Sequence, residues 1–502
     1  MLKTRGYDFR YAPTGIALSG GQFAWTYATD ANGNVLSISD GTGGGGDRSF
    51  GYQEWQQYLT TATGPWGFRY WSYDRIGNRT RQNWLLSHPY TYVRNPLGGN
   101  TPLLESVRLG NELPLSTRFY TFDAGGFLTQ TAVIAPFRNP EPTAHLTFDA
   151  AGTLTDLSAG GKPLTFGYDG RGLLVRAGMG DTPYALSTYS SEGRLYSLHT
   201  IDLASRKTSE SRTGLLYFAG RPVAQWREAV GGGGGGALTF LTTDHLGTPA
   251  CALGEDASVT WSGGFEPFGR DWQEGSAQSA LANGIFLRLP GQWDHPFWHR
   301  APLPFGFGAD LYYNVHRWYE AGTGRYVSKD PYRRARLQNT YTYAASSPSR
   351  LVDRLGLFEI DPSCDCPPPP LKPDSIYKAI AQSMQFYRSA PCQEALAEHP
   401  EVKDCLGPRF GPEEIGRGPR IVCEETPNEH QPPCGEYWGT GKPNDPSLIK
   451  LFPGGAGCPQ NKPDQGYGLG QTLFHEVVHS CGLLKHDTTF SKIFKACTGW
   501  TD

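Results

Sequence analysis

The sequence predicts a mainly β chain in which a long repetitive sheet is followed by a small, cysteine-rich α+β domain. Three observations lead there. A short unit, reading aromatic, Asp, two free positions and Gly, recurs through the first half of the chain. Gly (64) and Pro (39) together make up about one residue in five of 502, against about one in eight in ordinary proteins. Finally, Cys251 is the only cysteine before residue 358, whereas Cys364, Cys366, Cys392, Cys405, Cys423, Cys434, Cys458, Cys481 and Cys497 crowd the remainder.

The repeat units are YDRIG at 73–77, FDAGG at 122–126, FDAAG at 148–152, YDGRG at 168–172 and YSSEG at 189–193, with a looser TDANGN from Thr29. Asp caps a turn through its side chain and Gly takes positive φ, so each unit reads as the tip of a β-hairpin flanked by alternating apolar strands. Units about 20 residues apart leave room for two strands and two turns, and such repeats stack into one continuous sheet because none is stable alone. The alternative, unrelated turns in a β-sandwich, does not explain why the pattern keeps its phase.

Composition excludes several classes. With 19% charged residues and a net charge of −3, the chain has no basic field for a nucleic-acid backbone. Mean hydropathy is −0.45, and no apolar run approaches the roughly 18 residues a spanning helix needs. The start, MLKTRGYDFRYAP, lacks the apolar stretch of a secretory signal, so synthesis in the bacterial cytoplasm and export by a signal-peptide-independent route are expected.

From residue 243 the motifs become specific. TDHLGTP (243–249), FEPFG (265–269), RLPGQ (288–292), YYNVHRW (312–318), GRYVSKDP (324–331) and YTY (341–343) follow in order. This series resembles the core of the Rhs, or YD-repeat, proteins, a family that includes bacterial Rhs toxins, the C component of Tc toxins and the shell of teneurins. The resemblance implies a β-sheet spiralling into a hollow shell over residues 1–242, an associated core over 243–357, and an enclosed toxin domain over 358–502. It also implies self-cleavage by an aspartyl pair drawn from two DPxG motifs, with the cut after the Leu that follows. Asp330 and Asp353 match the aspartates, and Gly356 and Leu357 the end of the second motif. Arg333 stands where the first motif has Gly, Arg354 where the second has Pro, and the gap is one residue longer than usual. Two close carboxylates cannot both ionise, so one holds a proton while the other activates water.

The tail opens on the stiff spacer CDCPPPPLKP. A helix is expected over 374–388, where Ile376, Ile380, Met384 and Tyr387 recur at helical spacing behind Asp374, and a short strand at 448–452. The chemistry lies in QTLFHEVVHSCGLLKHD, 471–487. On a helix His475 and His479, four apart, project from one face and can reach a single Zn²⁺. Glu476 is then placed as general base towards a metal-activated water. A core helix with two incidental histidines is the competing reading.

The third ligand is open. The segment resembles the metzincin pattern HExxHxxGxxH as far as Gly482, but the next position is Lys485 and the histidine falls one later, at His486. After a Gly the chain is not bound to helical phase, so His486 is the favoured ligand, with Asp487, His430 and Glu425 as alternatives. No Glu follows Glu476, which argues against glutamate-ligand zinc peptidases, and no Met follows the motif to form a metzincin Met-turn. The nine tail thiols point to disulfides of an oxidising compartment rather than metal ligands, since paired CxxC spacing is absent. Cys481 in particular would lock the metal turn through a disulfide, or else serve as a thiolate ligand.

The expected function is therefore an exported toxin whose shell carries a zinc peptidase. Its partners would be a protein or peptide substrate in a target cell, a cognate immunity protein and a secretion machine of type VI or similar kind. A zinc-dependent peptidoglycan amidase or endopeptidase, a non-catalytic adhesion module and a carbohydrate-binding surface protein are the alternatives.

Overall fold

The computed structural model describes residues 3–356 apart from 10–11, 55–56, 84–85, 97, 111–114, 136–141, 160, 181, 203–208, 232–234, 299–309 and 331–338. Beyond 356 it describes 386, 389–400, 402, 420–423, 435–438, 448–451, 469–479 and 488–498. The chain divides into two compact units, Met1–Lys329 with Tyr341–Gly356, and Asp330–Thr340 with Leu357–Asp502. The protein is mainly β.

In the first unit, strands β1 (Lys3–Tyr7) to β23 (Val259–Ser262) form a 23-stranded sheet. Each strand pairs antiparallel with the next along the chain, from β1 and β2 through to β22 and β23, so the sheet is an uninterrupted meander. Its hairpin tips follow the repeat. At Asp169 the carboxylate accepts from the N–H groups of Arg171 and Leu173, at 2.9 and 3.0 Å, and Asp74 and Asp149 do the same at their own tips. Gly172 completes the turn with φ +77, a left-handed conformation that a side chain strains. The ladder slips by one residue at the aromatic position, between Gly167 and Tyr168 or Thr188 and Tyr189, which is a β-bulge.

The aromatic residue also links hairpins. Tyr52, Tyr92, Tyr168, Tyr189 and Tyr217 donate their hydroxyls to the carbonyls of Val35, Arg79, Leu154, Leu174 and Leu195. Every acceptor stands two residues after the positive-φ glycine of an earlier tip. Tyr73 follows the same rule towards Leu59, two residues after Gln57, which itself has φ +57.

The sheet curls so that its beginning meets its end. Arg5 donates to the carbonyls of Thr243 and Asp244, and Arg48 to the carbonyl of Gly263. Ile16, Trp25, Val35 and Ile38 share a hydrophobic cluster with Ala250, Cys251 and Leu253. The sheet face from Tyr90 to Trp261 packs against Phe286, Trp293, Trp298, Tyr313 and Trp318 in the largest cluster. Those aromatics belong to a second, four-stranded sheet, β24 (Gln292–Trp293), β25 (Leu311–Asn314), β26 (Arg317–Glu320) and β27 (Arg325–Tyr326), and its neighbouring loops. Cys251 is a buried free thiol, its pKa pushed up to about 11 by burial.

The second unit holds a three-stranded sheet ordered β28 (Arg420–Cys423), β30 (Leu448–Leu451), β29 (Gly435–Trp438), in which β28 runs parallel and β29 antiparallel to β30. Among its described residues are the helices α1 (Ala390–Ala397), α2 (Leu469–His479) and α3 (Thr488–Thr498). The strand expected at 448–452 is β30, and the helix carrying the histidines is α2. The helix expected at 374–388 lies, apart from residue 386, outside the described residues. No helix among the described residues is long and apolar enough to cross a membrane.

Candidate functional site

Helix α2 brings the two histidines together. The Nε2 atoms of His475 and His479 lie 2.9 Å apart, with ring centroids 4.6 Å apart and planes at 83°. Zinc–imidazole bonds of about 2.0–2.1 Å at a tetrahedral angle need nitrogens about 3.3 Å apart, so a few tenths of an ångström of side-chain rotation admits the ion. Both ring nitrogens thus suit a shared cation. Glu476, next in sequence to His475, is buried, and Phe474 and Val478 on the same helix are fully buried, so the helix is fixed by its apolar side.

Helix α3 supplies the surroundings, which the sequence reading left unassigned. Phe490 stacks on His479 at 4.8 Å and 21° and meets His475 edge-on at 4.8 Å. Phe494 meets His475 at 5.4 Å and Phe474 at 6.5 Å. Phe490, Ile493, Phe494 and Cys497 fall at i, i+3, i+4 and i+7, so one buried face of α3 carries them all. That spacing is the sequence signal that could have found the wall. Cys497 is disulfide-bonded to Cys392 of α1, 105 residues earlier. Strand β29 also packs against α2.

His486, Asp487, His430, Glu425 and Cys481 lie outside the described residues. Among the described residues no group of three His, Cys, Asp or Glu side chains gathers as a metal site.

The two aspartates fall in different units. Asp330, in the second, donates its N–H to the carbonyl of Thr340 at 3.0 Å. Asp353, in the first, is 1% exposed. Its Oδ2 accepts from Arg317 Nη2 at 2.9 Å and from the Tyr326 hydroxyl at 2.8 Å. Arg317 Nε donates to the carbonyl of Gly356, and Asn314 Nδ2 to Tyr326 Oη at 2.7 Å and to the Asp353 carbonyl at 3.0 Å. Burial lifts the Tyr326 phenol well above its ordinary pKa, which keeps it a hydrogen-bond donor to the carboxylate. The neighbouring His316 is pushed down to about 4, by burial first and then by Arg317. Arg317, Tyr326 and Asn314 were read from sequence as core motif only; a basic residue inside an aromatic run was the available sign that it has a buried partner. Arg333 and Leu357 lie outside the described residues.

No family model matches the chain. It is 31% identical over 121 residues to the toxin protein Tse5 of Pseudomonas aeruginosa PAO1, a stretch covering 24% of this chain and 8% of that one. Over 118 residues it is 27% identical to the protein YibJ of Escherichia coli K12, covering 24% of this chain and 44% of YibJ. The chain therefore spans less than half the length of either relative it matches. Crystal structures of TcdB2–TccC3 with Cdc42, and of TcdB2–TccC3 without its hypervariable C-terminal region, overlay with TM-scores of 0.39 and 0.40 at 18% and 17% identity. They cover 71% of this chain and 20% of theirs. Over about a quarter of its length, then, the chain is similar to a bacterial toxin.

Proposed function

We propose that the chain is an Rhs-type polymorphic toxin in which the first unit is the delivery shell and the second a zinc-dependent peptidase acting in a target cell. The observation that carries the reading is the pair of imidazole nitrogens on α2, 2.9 Å apart, with Glu476 next in sequence to the first. His475 and His479 would hold the ion, with His486 as the favoured third ligand. Bound zinc would supply Lewis-acid polarisation of the scissile carbonyl and acidify water. Glu476 takes the proton from the attacking water and passes it to the leaving amine. The low-dielectric wall of Phe490 and Phe494 covers one side of the half-buried imidazoles and strengthens each charge interaction there.

In this reading Asp330 and Asp353 release residues 358–502 by a cut after Leu357, which leaves Asp330–Thr340 on the first unit's chain. Asp353, held by Arg317, acts as base and Asp330 as acid. Export requires secretion machinery, and a producing cell requires an immunity protein. The similarity to Tse5 supports the toxin role. A zinc-dependent peptidoglycan hydrolase is the second reading, since the same two histidines and Glu476 serve either amide.

The test is Glu476→Gln in the full chain, assayed for metal content, peptide hydrolysis and toxicity on expression in the periplasm of a susceptible bacterium. Zinc retained at one equivalent, with hydrolysis and toxicity reduced at least about 100-fold, is expected. Undiminished toxicity would remove the hydrolase reading. Mass spectrometry of digested protein and of digested cell wall separates the two substrate classes.

A further inference from the structure

The disulfide between Cys392 and Cys497 is the one element that ties the wall of the histidine site to the rest of its unit by a covalent bond among the described residues. Cys497 lies on the same face of α3 as Phe490 and Phe494, the residues in direct ring contact with His475 and His479. At 11 residues, α3 is shorter than the roughly 12–15 at which a helix begins to hold its own shape in water. Its position therefore depends on packing and on the bridge to α1, whose Cys392 and Leu396 are fully buried. The exposed pair Lys492–Glu398 joins the same two helices and adds little.

We propose that this disulfide is a redox latch on the site: with the bridge reduced, α3 departs from α2, the aromatic wall opens and the two histidines lose the arrangement that grips a metal. The inference rests on the zinc reading for its purpose, but not for its structural claim. In the reducing cytoplasm of the producer the two thiols stay apart. In an oxidising compartment, a disulfide-carrying exchange protein accepts their two electrons and two protons, its own disulfide becomes a dithiol, and one S–S bond forms. Both half-cystines are buried, at 0% and 5% exposure, so thiols reach the closed bridge only when the unit opens. The latch therefore sets once, after export.

The experiment uses the full chain, oxidised and reduced, together with the Cys392→Ala/Cys497→Ala variant kept in oxidising buffer. Diethyl pyrocarbonate labels histidines, and peptide mass spectrometry reads His475 and His479 against His145, which is exposed on β13 (Ala144–Phe148). Reduction, and the double substitution alike, should speed labelling of both site histidines at least tenfold relative to His145. They should also weaken Co²⁺ binding at least tenfold, with hydrogen exchange rising in α3 while β28–β30 stay protected. Equal labelling rates in the oxidised and bridge-free proteins overturn the latch. So does loss of protection across β28–β30 together with α3, which would make the bridge a staple for the whole unit. Accelerated labelling with no Co²⁺ bound in any state sustains the latch and removes the zinc reading. Tight Co²⁺ binding unaffected by the bridge does the reverse.

Discussion

Arg317 and Asp353 form an ion pair at 2.9 Å in which the two side chains are 2% and 1% exposed. Both groups are buried, and each also meets a neutral partner, the Tyr326 hydroxyl for the carboxylate and the Gly356 carbonyl for the guanidinium. Replacing Asp353 with Asn keeps the shape but removes the negative charge that pairs at 2.9 Å with a buried guanidinium whose centre lies 3.5 Å over the Tyr326 ring. Breaking a buried pair in this way costs about 3–5 kcal/mol, a large fraction of the 5–15 kcal/mol that holds a domain together. Arg317→Met should cost a similar amount, because it strands the carboxylate and also releases the carbonyl of Gly356. The double variant Asp353→Leu/Arg317→Met replaces the pair with apolar volume and should recover most of the loss, giving a coupling of at least about 2 kcal/mol. Denaturant midpoints of the first unit, followed by tryptophan fluorescence, measure all four proteins. Single variants costing under about 1 kcal/mol, or a double variant no better than their sum, would refute the claim that the pair is desolvated and mutually dependent. A gel of the same proteins reads the proposed cut after Leu357. It should be lost in Asp353→Asn and stay lost in the recovered double variant, which separates chemistry from stability.

Two further outcomes follow from the first unit. Burial, opposed by Arg270 and reinforced by Glu274, Glu320 and Glu266, pushes Asp310 up to about 7. The folded state therefore binds the extra proton, and stability falls as pH rises from about 4 to 7. Asp310→Asn should be more stable than the parent at pH 8.5 by up to about 4 kcal/mol, less whatever its 3.5 Å pair with Arg270 contributes, and should lose more than half of that advantage at pH 5; a parent whose urea midpoint does not fall between pH 5 and 8.5 once His316 is replaced by Gln contradicts this. The replacement is needed because His316, held down to about 4, acts in the opposite direction: the unfolded chain takes the proton, so up to about 3 kcal/mol is lost as pH falls from 6.5 to 4. Among the tyrosine links, Tyr217→Phe removes one hydrogen bond and should cost about 1 kcal/mol, whereas Tyr168→Phe also strands the indole N–H of Trp318 and should cost about twice that; equal thermal shifts in the two variants would show that the indole is satisfied elsewhere.

Those tyrosine links mark where sequence reading stopped. The hairpin tips were legible because their chemistry is local: an Asp that bonds two N–H groups within four residues, and a Gly whose φ no other residue adopts cheaply. The receiving carbonyls of the hydroxyls were not, since a backbone acceptor carries no side-chain identity and Leu154 or Arg79 serves equally well. The second unit divides in the same way. His475 and His479 were legible from helical spacing alone. Phe490 was not, because its contact with them depends on how α3 is brought back, and that depends on which of the eight other tail cysteines Cys497 joins.

The end of the first unit bears on the proposed release of the residues that follow it. Gly356 is the last residue of that unit. It has φ +68, and a Cβ there would lie 2.6 Å from the Asn314 carbonyl oxygen, so only glycine lets the chain pass this close to β25. Its own carbonyl is taken by Arg317, which in the same stroke holds Asp353. Among the described residues, these groups that fix the end of the first unit lie on the N-terminal side of Leu357. The proposed cut after Leu357 would leave those hydrogen bonds in place, so the first unit would keep their share of its folding free energy while residues 358–502 lose their chain connection. The geometry that seals the first unit is, on this account, also what makes the last step of release nearly free of structural cost.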